Sequence, residues 1–193
     1  MKASLTHTPA GDEARDLCRQ LLLSRGVRLP DLASLVHRLQ SRFVPDLDAQ
    51  ECLDSILAVL GKREVCNALL TGIALDVLAE RGALPEPLQS TMLRDDPLYG
   101  IDEVLALSVV NIYGSIGFTN YGYLDKVKPG VVGRVDRRGH APGRCNTFLD
   151  DLISAVVAAA AARIAHSRSD TLAAAEPAAP AASPGQPAGA PPP

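Results

Sequence analysis

Two pairs of neighbouring acids, Asp102-Glu103 and Asp150-Asp151, are the side chains whose type and placement most plainly fit chemistry. Each pair opens an apolar segment, and Asp96 stands six residues ahead of the first. Carboxylate oxygens are hard ligands suited to Mg²⁺, which keeps several waters and binds through a few carboxylates together with a substrate phosphate. Two helices that each aim one or two acids at a common point would hold such an ion. A purely structural reading competes: acids in a first helical turn complement the helix dipole, and Asp96 before Pro97 makes a good N-cap. Adjacent helical residues also point about 100° apart, so both members of a pair reach one ion only near a helix end.

Between the acidic pairs lies a basic segment, residues 126–144, with Lys126, Lys128, Arg134, Arg137, Arg138 and Arg144 against the single acid Asp136. Read as a loop, it would draw an anionic substrate toward the carboxylates, or simply be solvated. The glycines Gly114, Gly117 and Gly122 fit either a phosphate cradle or a tight turn. Tyr123 and Leu124 stand where a P-loop needs Lys and Ser or Thr, which excludes that motif. His7, His37, His140 and His166 lack His-x-x-x-His spacing, and no Gly-x-Ser-x-Gly elbow is present, so zinc-protease and serine-hydrolase chemistry have no support. The cysteines Cys18, Cys52, Cys66 and Cys145 form no Cys-x-x-Cys pair, which argues against a thiolate zinc cluster and for a reducing compartment.

The elements that must position the acids are helices. Leu32, Leu35, Val36, Leu39 and Phe43 follow the spacing of an amphipathic helix, with Asp31 as N-cap and Pro45 as its stop. Leu53, Ile56, Leu57 and Leu60 form a second stripe ended by Gly61. Residues 65–78 are apolar on nearly every face, the pattern of a central buried helix. Further helices are expected at 13–24, 101–113 and 147–166, the last with Thr147 and Asp150 at capping-box spacing. Period-2 alternation occurs only weakly, at 127–135, where a small hairpin would fit. The expected fold is therefore all-α: a compact multi-helix bundle of about six helices with a basic loop.

Length and composition bound the rest. At 193 residues the chain fits one domain with tails. Seven aromatic residues, no Trp and a net charge of −3 argue against nucleic-acid partners. Residues 104–124 carry no formal charge, a length able to span a bilayer, but Ser108, Asn111, Ser115, Thr119, Asn120 and three glycines favour a buried helix instead. No secretory core opens the chain, so a cytoplasmic location is expected. From 173 to 193, nine residues are Ala and seven are Pro. That composition supplies no core, and 167–193 is expected to be a disordered tail flanking a domain at 12–166, with 1–11 flexible. The apolar surface of the 65–78 and 147–166 helices favours homo-oligomerisation.

Three stretches together resemble a known family: Asp95-Asp-Pro-Leu-Tyr-Gly-Ile-Asp-Glu-Val104, Gly117-Phe-Thr-Asn-Tyr-Gly-Tyr-Leu-Asp-Lys126 and Asn146-Thr-Phe-Leu-Asp-Asp-Leu152. The likeness is to the phosphatidylglycerophosphatase A family, and more closely to its soluble branch, the YutG-like and low-temperature-requirement C proteins. It runs from about residue 12 to 166, and includes Lys62-Arg-Glu-Val65 and Leu70-Thr-Gly-Ile-Ala-Leu-Asp76. The resemblance implies a Mg²⁺-dependent phosphatase that removes the terminal phosphate of phosphatidylglycerophosphate. The family's Asp-Pro…Ile-Asp-Glu and Leu-Asp-Asp motifs match Asp96, Pro97, Ile101, Asp102, Glu103, Leu149, Asp150 and Asp151.

On that basis Asp102, Glu103, Asp150 and Asp151 are expected to hold one or two Mg²⁺ ions. Asp96, Asp102 and Asp150 are the expected catalytic acids. Lys126 and Arg144 would bind phosphate oxygens, and Thr119 and Asn120 would line the mouth. Classical members span the membrane and this chain offers no convincing span. The substrate is therefore either a phosphorylated lipid head group, met by peripheral contact at the inner membrane face, or a small phosphomonoester. A non-catalytic helical scaffold or regulatory protein is the alternative.

Overall fold

The computed structural model describes residues 10–175, with side chains to Arg168. The rest of the two expected flexible ends lies outside the described residues. Among the described residues there are nine α-helices and no strands: α1 (Asp12–Ser24), α2 (Leu29–Gln40), α3 (Ala49–Leu60), α4 (Arg63–Glu80), α5 (Leu88–Arg94), α6 (Ile101–Val110), α7 (Gly114–Val127), α8 (Val131–Gly139) and α9 (Leu149–Ala175). A 3₁₀ turn, Asn111–Tyr113, joins α6 to α7.

The all-α expectation holds, and the differences in detail have physical causes. The helix at the centre is α9 rather than α4. Residues Ala155 to Ala162 of α9 are fully buried, and α2, α3, α4, α6, α7 and α8 all pack on it. Alanine side chains keep the helix thin, so many neighbours approach one axis. Helix α4, apolar on every face in sequence, leaves Leu78 exposed. It meets α9 at Gly72, where a Cβ would lie 2.5 Å from Leu152 Cδ1 and 2.9 Å from Phe148 Cβ.

The glycine-rich stretch is helix, not a turn: Gly117 lets α7 sit against the end of α6, its Cβ position being 3.1 Å from the Val110 carbonyl. The weak alternation at 127–135 is also helical, because Val131, Val132 and Val135 share the buried side of α8. Helix α2 begins at Leu29 and ends at Gln40, short of Phe43, whose ring is exposed beside Arg42. Helix α9 continues past 166 to Ala175. Its start is not held by the expected Thr147/Asp150 box, since the Thr147 hydroxyl donates to the Met92 carbonyl at 2.7 Å. A distant residue does the capping. Asp76 of α4, fully buried, accepts from the backbone N–H of Phe148 and of Leu149, each at 3.1 Å.

Candidate active site

The acidic pairs lie at helix starts. Asp102 and Glu103 occupy the first turn of α6, behind Gly100 with φ 73°, and Asp150 and Asp151 occupy the first turn of α9. Both N-termini open toward the C-terminal end of α7, which contributes Asp125 and, one turn position beyond the helix, Lys128. The result is a cavity of about 150 Å³ lined by seven carboxylates, those of Asp95, Asp96, Asp102, Glu103, Asp125, Asp150 and Asp151, and by a single lysine. Two helix N-termini facing a common space account for part of this accumulation, because their partial positive charge favours carboxylates. They do not account for Asp95 and Asp96, which follow α5, or for Asp125 of α7.

Lys128 is the counterweight. It takes the left-handed conformation, φ 45°, that ends α7, and its Nζ donates to Asp136 Oδ1 at 2.7 Å and Asp150 Oδ2 at 2.6 Å. Those carboxylates hold its own pKa above the usual lysine range despite burial. Asp150 is only 4% exposed, and burial pushes it up to about 6 while Lys128 pulls it down. Asp151, 6% exposed, is pushed up to about 9, first by burial and then by Asp150, Asp125 and Asp102. Burial, Asp95 and Asp125 also raise Asp102, and burial with Asp102 and Asp125 raises Glu103. Each carboxylate thus makes its neighbours harder to ionise, the condition that a divalent cation relieves.

The residues fit such an ion. The donor set is all oxygen, as Mg²⁺ requires. Among the described residues the buried Tyr121 hydroxyl has no hydrogen-bond partner, and it lies within electrostatic reach of Asp102, Glu103, Asp125 and Asp151. An orphaned buried phenol in the field of these acids is a polar group still in need of a partner.

The structure places Asp96, Asp102, Glu103, Asp150 and Asp151 around one cavity. Asp96 sits at its rim, its carboxylate paired with Arg94 at 2.6 Å and lowered by that contact. Four expected phosphate-binding residues lie elsewhere. Thr119 and Asn120 stand six and five positions before Asp125 on α7, a helical offset that turns them away toward Arg42 of the α2 end. Lys126 is exposed on the helix side next to Asp125 and does not line the cavity. Arg144 lines a separate cavity with Arg25 and Arg138.

Asp95, Asp125 and Lys128 were not among the expected site residues. The signal for the first two was their position inside the family-like stretches, and Lys128 lay in the basic segment. Among the described residues, the one set of three metal-binding side chains with ligand atoms within 4.8 Å of one another is Asp95, Asp136 and His140. It flanks the cavity and differs from the expected quartet.

Fold and cavity define an all-α protein whose polar centre is a carboxylate cluster drawn from four helical segments. The sequence model of one family, phosphatidylglycerophosphatase A, matches residues 21–166. The chain belongs to the phosphatidylglycerophosphatase A family, a family of phosphatase type. It is 55% identical over 148 residues to YutG of Bacillus subtilis strain 168, covering 77% of this chain and 88% of that protein. YpjQ of the same organism is 49% identical over 159 residues, covering 82% and 88%. The low temperature requirement C protein from Listeria monocytogenes, a solved structure, superposes with a TM-score of 0.77 at 52% identity, covering 81% of this chain and 98% of that one.

Proposed function

We propose that this protein is a Mg²⁺-dependent hydrolase of phosphomonoesters, taking a phosphorylated lipid head group or a small phosphomonoester as substrate. The observation that carries this reading is the convergence of seven carboxylates and one lysine on one cavity within a phosphatase-type family. Asp102 and Glu103 from α6 and Asp150 and Asp151 from α9 would hold the ion, with Asp125 facing them. When bound, Mg²⁺ neutralises charge developing on the phosphoryl oxygens and lowers the pKa of a bound water. Lys128 fixes Asp150 with one N–H and Asp136 with a second, which leaves its third donor for a substrate phosphoryl oxygen. Asp96, held by Arg94, orients groups at the rim.

A lipid surface as the source of substrate is supported by three apolar side chains beside the mouth. Leu98 is 98% exposed, and Ile101 and Val104, one turn apart on α6, also face solvent. Residues Ile101–Val127 are long and apolar enough to cross a membrane by length and composition, yet Gly114 with φ 65° and a 3₁₀ turn interrupt the run, and both halves pack on α9. Peripheral contact at the inner face of a cytoplasmic membrane suits this surface better than a span. Exposed Ile112, Phe118 and Tyr123 would serve a homo-oligomeric contact.

Phosphate release from a panel of phosphomonoesters, phosphatidylglycerophosphate included, with and without Mg²⁺ is the test. Release that requires Mg²⁺ and falls in Asp102→Asn and Asp150→Asn is the expected result. No release from any member of the panel would leave the scaffold reading in its place.

A further inference from the structure

The basic segment does not act as a unit, and its division exposes a second polar cavity. Lys128 turns into the carboxylates, and Arg134 pairs with Asp31 at 3.3 Å. Arg138 and Arg144 instead join Arg25, from the end of α1, around a cavity of about 220 Å³ whose lining also includes Gly26 and Asn146 and holds no carboxylate.

Of the three arginines Arg25 is locked, and Arg138, though exposed, is anchored at one nitrogen. Arg25, with a side chain 7% exposed, donates to Glu80 at 3.0 and 2.8 Å, to the Cys145 carbonyl at 2.6 Å and to Asn146 Oδ1 at 2.7 Å. Arg138 lies across Gly26 and donates from Nη1 to the Arg25 carbonyl at 3.1 Å. A Cβ on Gly26, which has φ 76°, would stand 2.4 Å from that nitrogen, so a residue with no side chain is what admits the guanidinium. Arg144 is over half exposed, and its Nη1 is 4.0 Å from Glu80 Oε1, beyond hydrogen-bond distance. Glu80 is already committed, since Oε1 also accepts from the Cys145 N–H at 3.1 Å. Glu80 therefore sits against two of the three guanidinium groups, those of Arg25 and Arg144, and among the described residues most N–H donors of Arg138 and Arg144 have no acceptor.

We propose that this cavity is a binding site for a small tetrahedral oxyanion, either free phosphate or the phosphoryl group of a small molecule, separate from the carboxylate cavity. Guanidinium forks match phosphate oxygens two at a time, and donors already held in place lose little freedom on binding. The carboxylate cavity needs a cation before it can receive an anion; the arginine cavity does not. The proposal is independent of the phosphatase reading.

The test is calorimetric titration of the full chain, treated with chelator so that no divalent cation remains, with inorganic phosphate in one arm and glycerol 3-phosphate in the other. One saturable event per chain, weakened by added salt, is expected, and the tighter probe identifies which source fits. Arg138→Gln combined with Arg144→Gln should weaken it at least tenfold, and Asp102→Asn should leave it within twofold. Arg144→Gln alone, at a side chain with no hydrogen bond to lose, should weaken it severalfold, and keeps the test decisive if the double variant does not fold. Failure of both probes to saturate overturns the proposal. So does binding that survives the arginine substitutions or disappears in Asp102→Asn. Absence of phosphatase activity would defeat the catalytic reading and leave this result standing.

Discussion

The two polar cavities are built in opposite ways from the same short connection. Residues 144–151 place Arg144 and Asn146 at one and Thr147, Asp150 and Asp151 at the other. In the arginine cavity the charges are already satisfied in part by Glu80 and by backbone carbonyls, so the site is preformed. In the carboxylate cavity the charges oppose one another, with burial pushing Asp151 up to about 9 and a lone lysine pulling Asp150 back. A cluster of like charges is unfavourable by itself and becomes favourable with a counter-ion; a cluster held by fixed partners is stable with or without one. The first is the signature of a site that acts together with its ligand, the second of a site that waits for it.

The largest expected effect tests the division of labour. Asp102→Asn or Asp150→Asn should lower Mg²⁺-dependent phosphate release by about 100-fold or more, on the scale of losing a group that stabilises developing charge. Steady-state phosphate release measures it, with Arg144→Gln as the comparison. An equal loss from Arg144→Gln would mean that the two cavities work as one.

Next in size is Asp76→Ala, which removes the cap from the helix both cavities share. The buried Phe148 N–H loses its acceptor and the Leu149 N–H keeps only the Asn146 carbonyl, at a cost of about 2 kcal/mol. Chemical denaturation measures this, and the variant should weaken both cavities where a site substitution weakens one.

The pH dependence of the carboxylate cavity has a definite sign. Asp150 and Asp151 have folded pKa values of about 6 and about 9, above the ordinary 3.8. In metal-free protein their contribution to stability is therefore present at low pH and is lost as pH rises through the folded values. Mg²⁺ competes with protons for the same oxygens. The rise in Tm on adding Mg²⁺ should thus be larger at pH 9 than at pH 6, as thermal denaturation at the two pH values would show. A rise that shrinks toward pH 9 would place the ion elsewhere.

The smallest effect belongs to Asp96→Asn. Its carboxylate is already occupied by Arg94 at the rim, so activity should fall by much less than in Asp102→Asn, with folding unchanged. A loss as large as that of Asp102→Asn would move Asp96 from the rim to the centre.

The sequence made the acidic pairs legible because each sits in a first helical turn ahead of an apolar run, where charge and periodicity agree. Asp125 and Lys128 were obscured by the glycines of α7, which read as a turn and so hid the helix whose end delivers both residues. Thr119 and Asn120 lie in the family-like stretch 117–126, and their helical offset from Asp125 puts them at other cavities. The valines of α8 gave a strand-like rhythm over too short a window to reveal a helical face. Arg25 had no local signal, and Asp76 only its place in the family-like stretch 70–76, since their partners are 55 to 121 residues away in sequence and only folding creates the contacts. The alanine run of α9 announced a helix without announcing the axis, because small side chains carry a weak hydrophobic signature even where burial is complete.

That axis has a consequence for how the protein tolerates change. Where a bundle is centred on leucines, trimming a side chain leaves a hole and is the usual route to damage. Between Ala155 and Ala162 only Val156 and Val157 leave anything to trim, and six other helices pack along α9. Harm here comes from growth: a single added methyl group pushes outward on several neighbours at once, and the first turn that carries Asp150 and Asp151 moves with them.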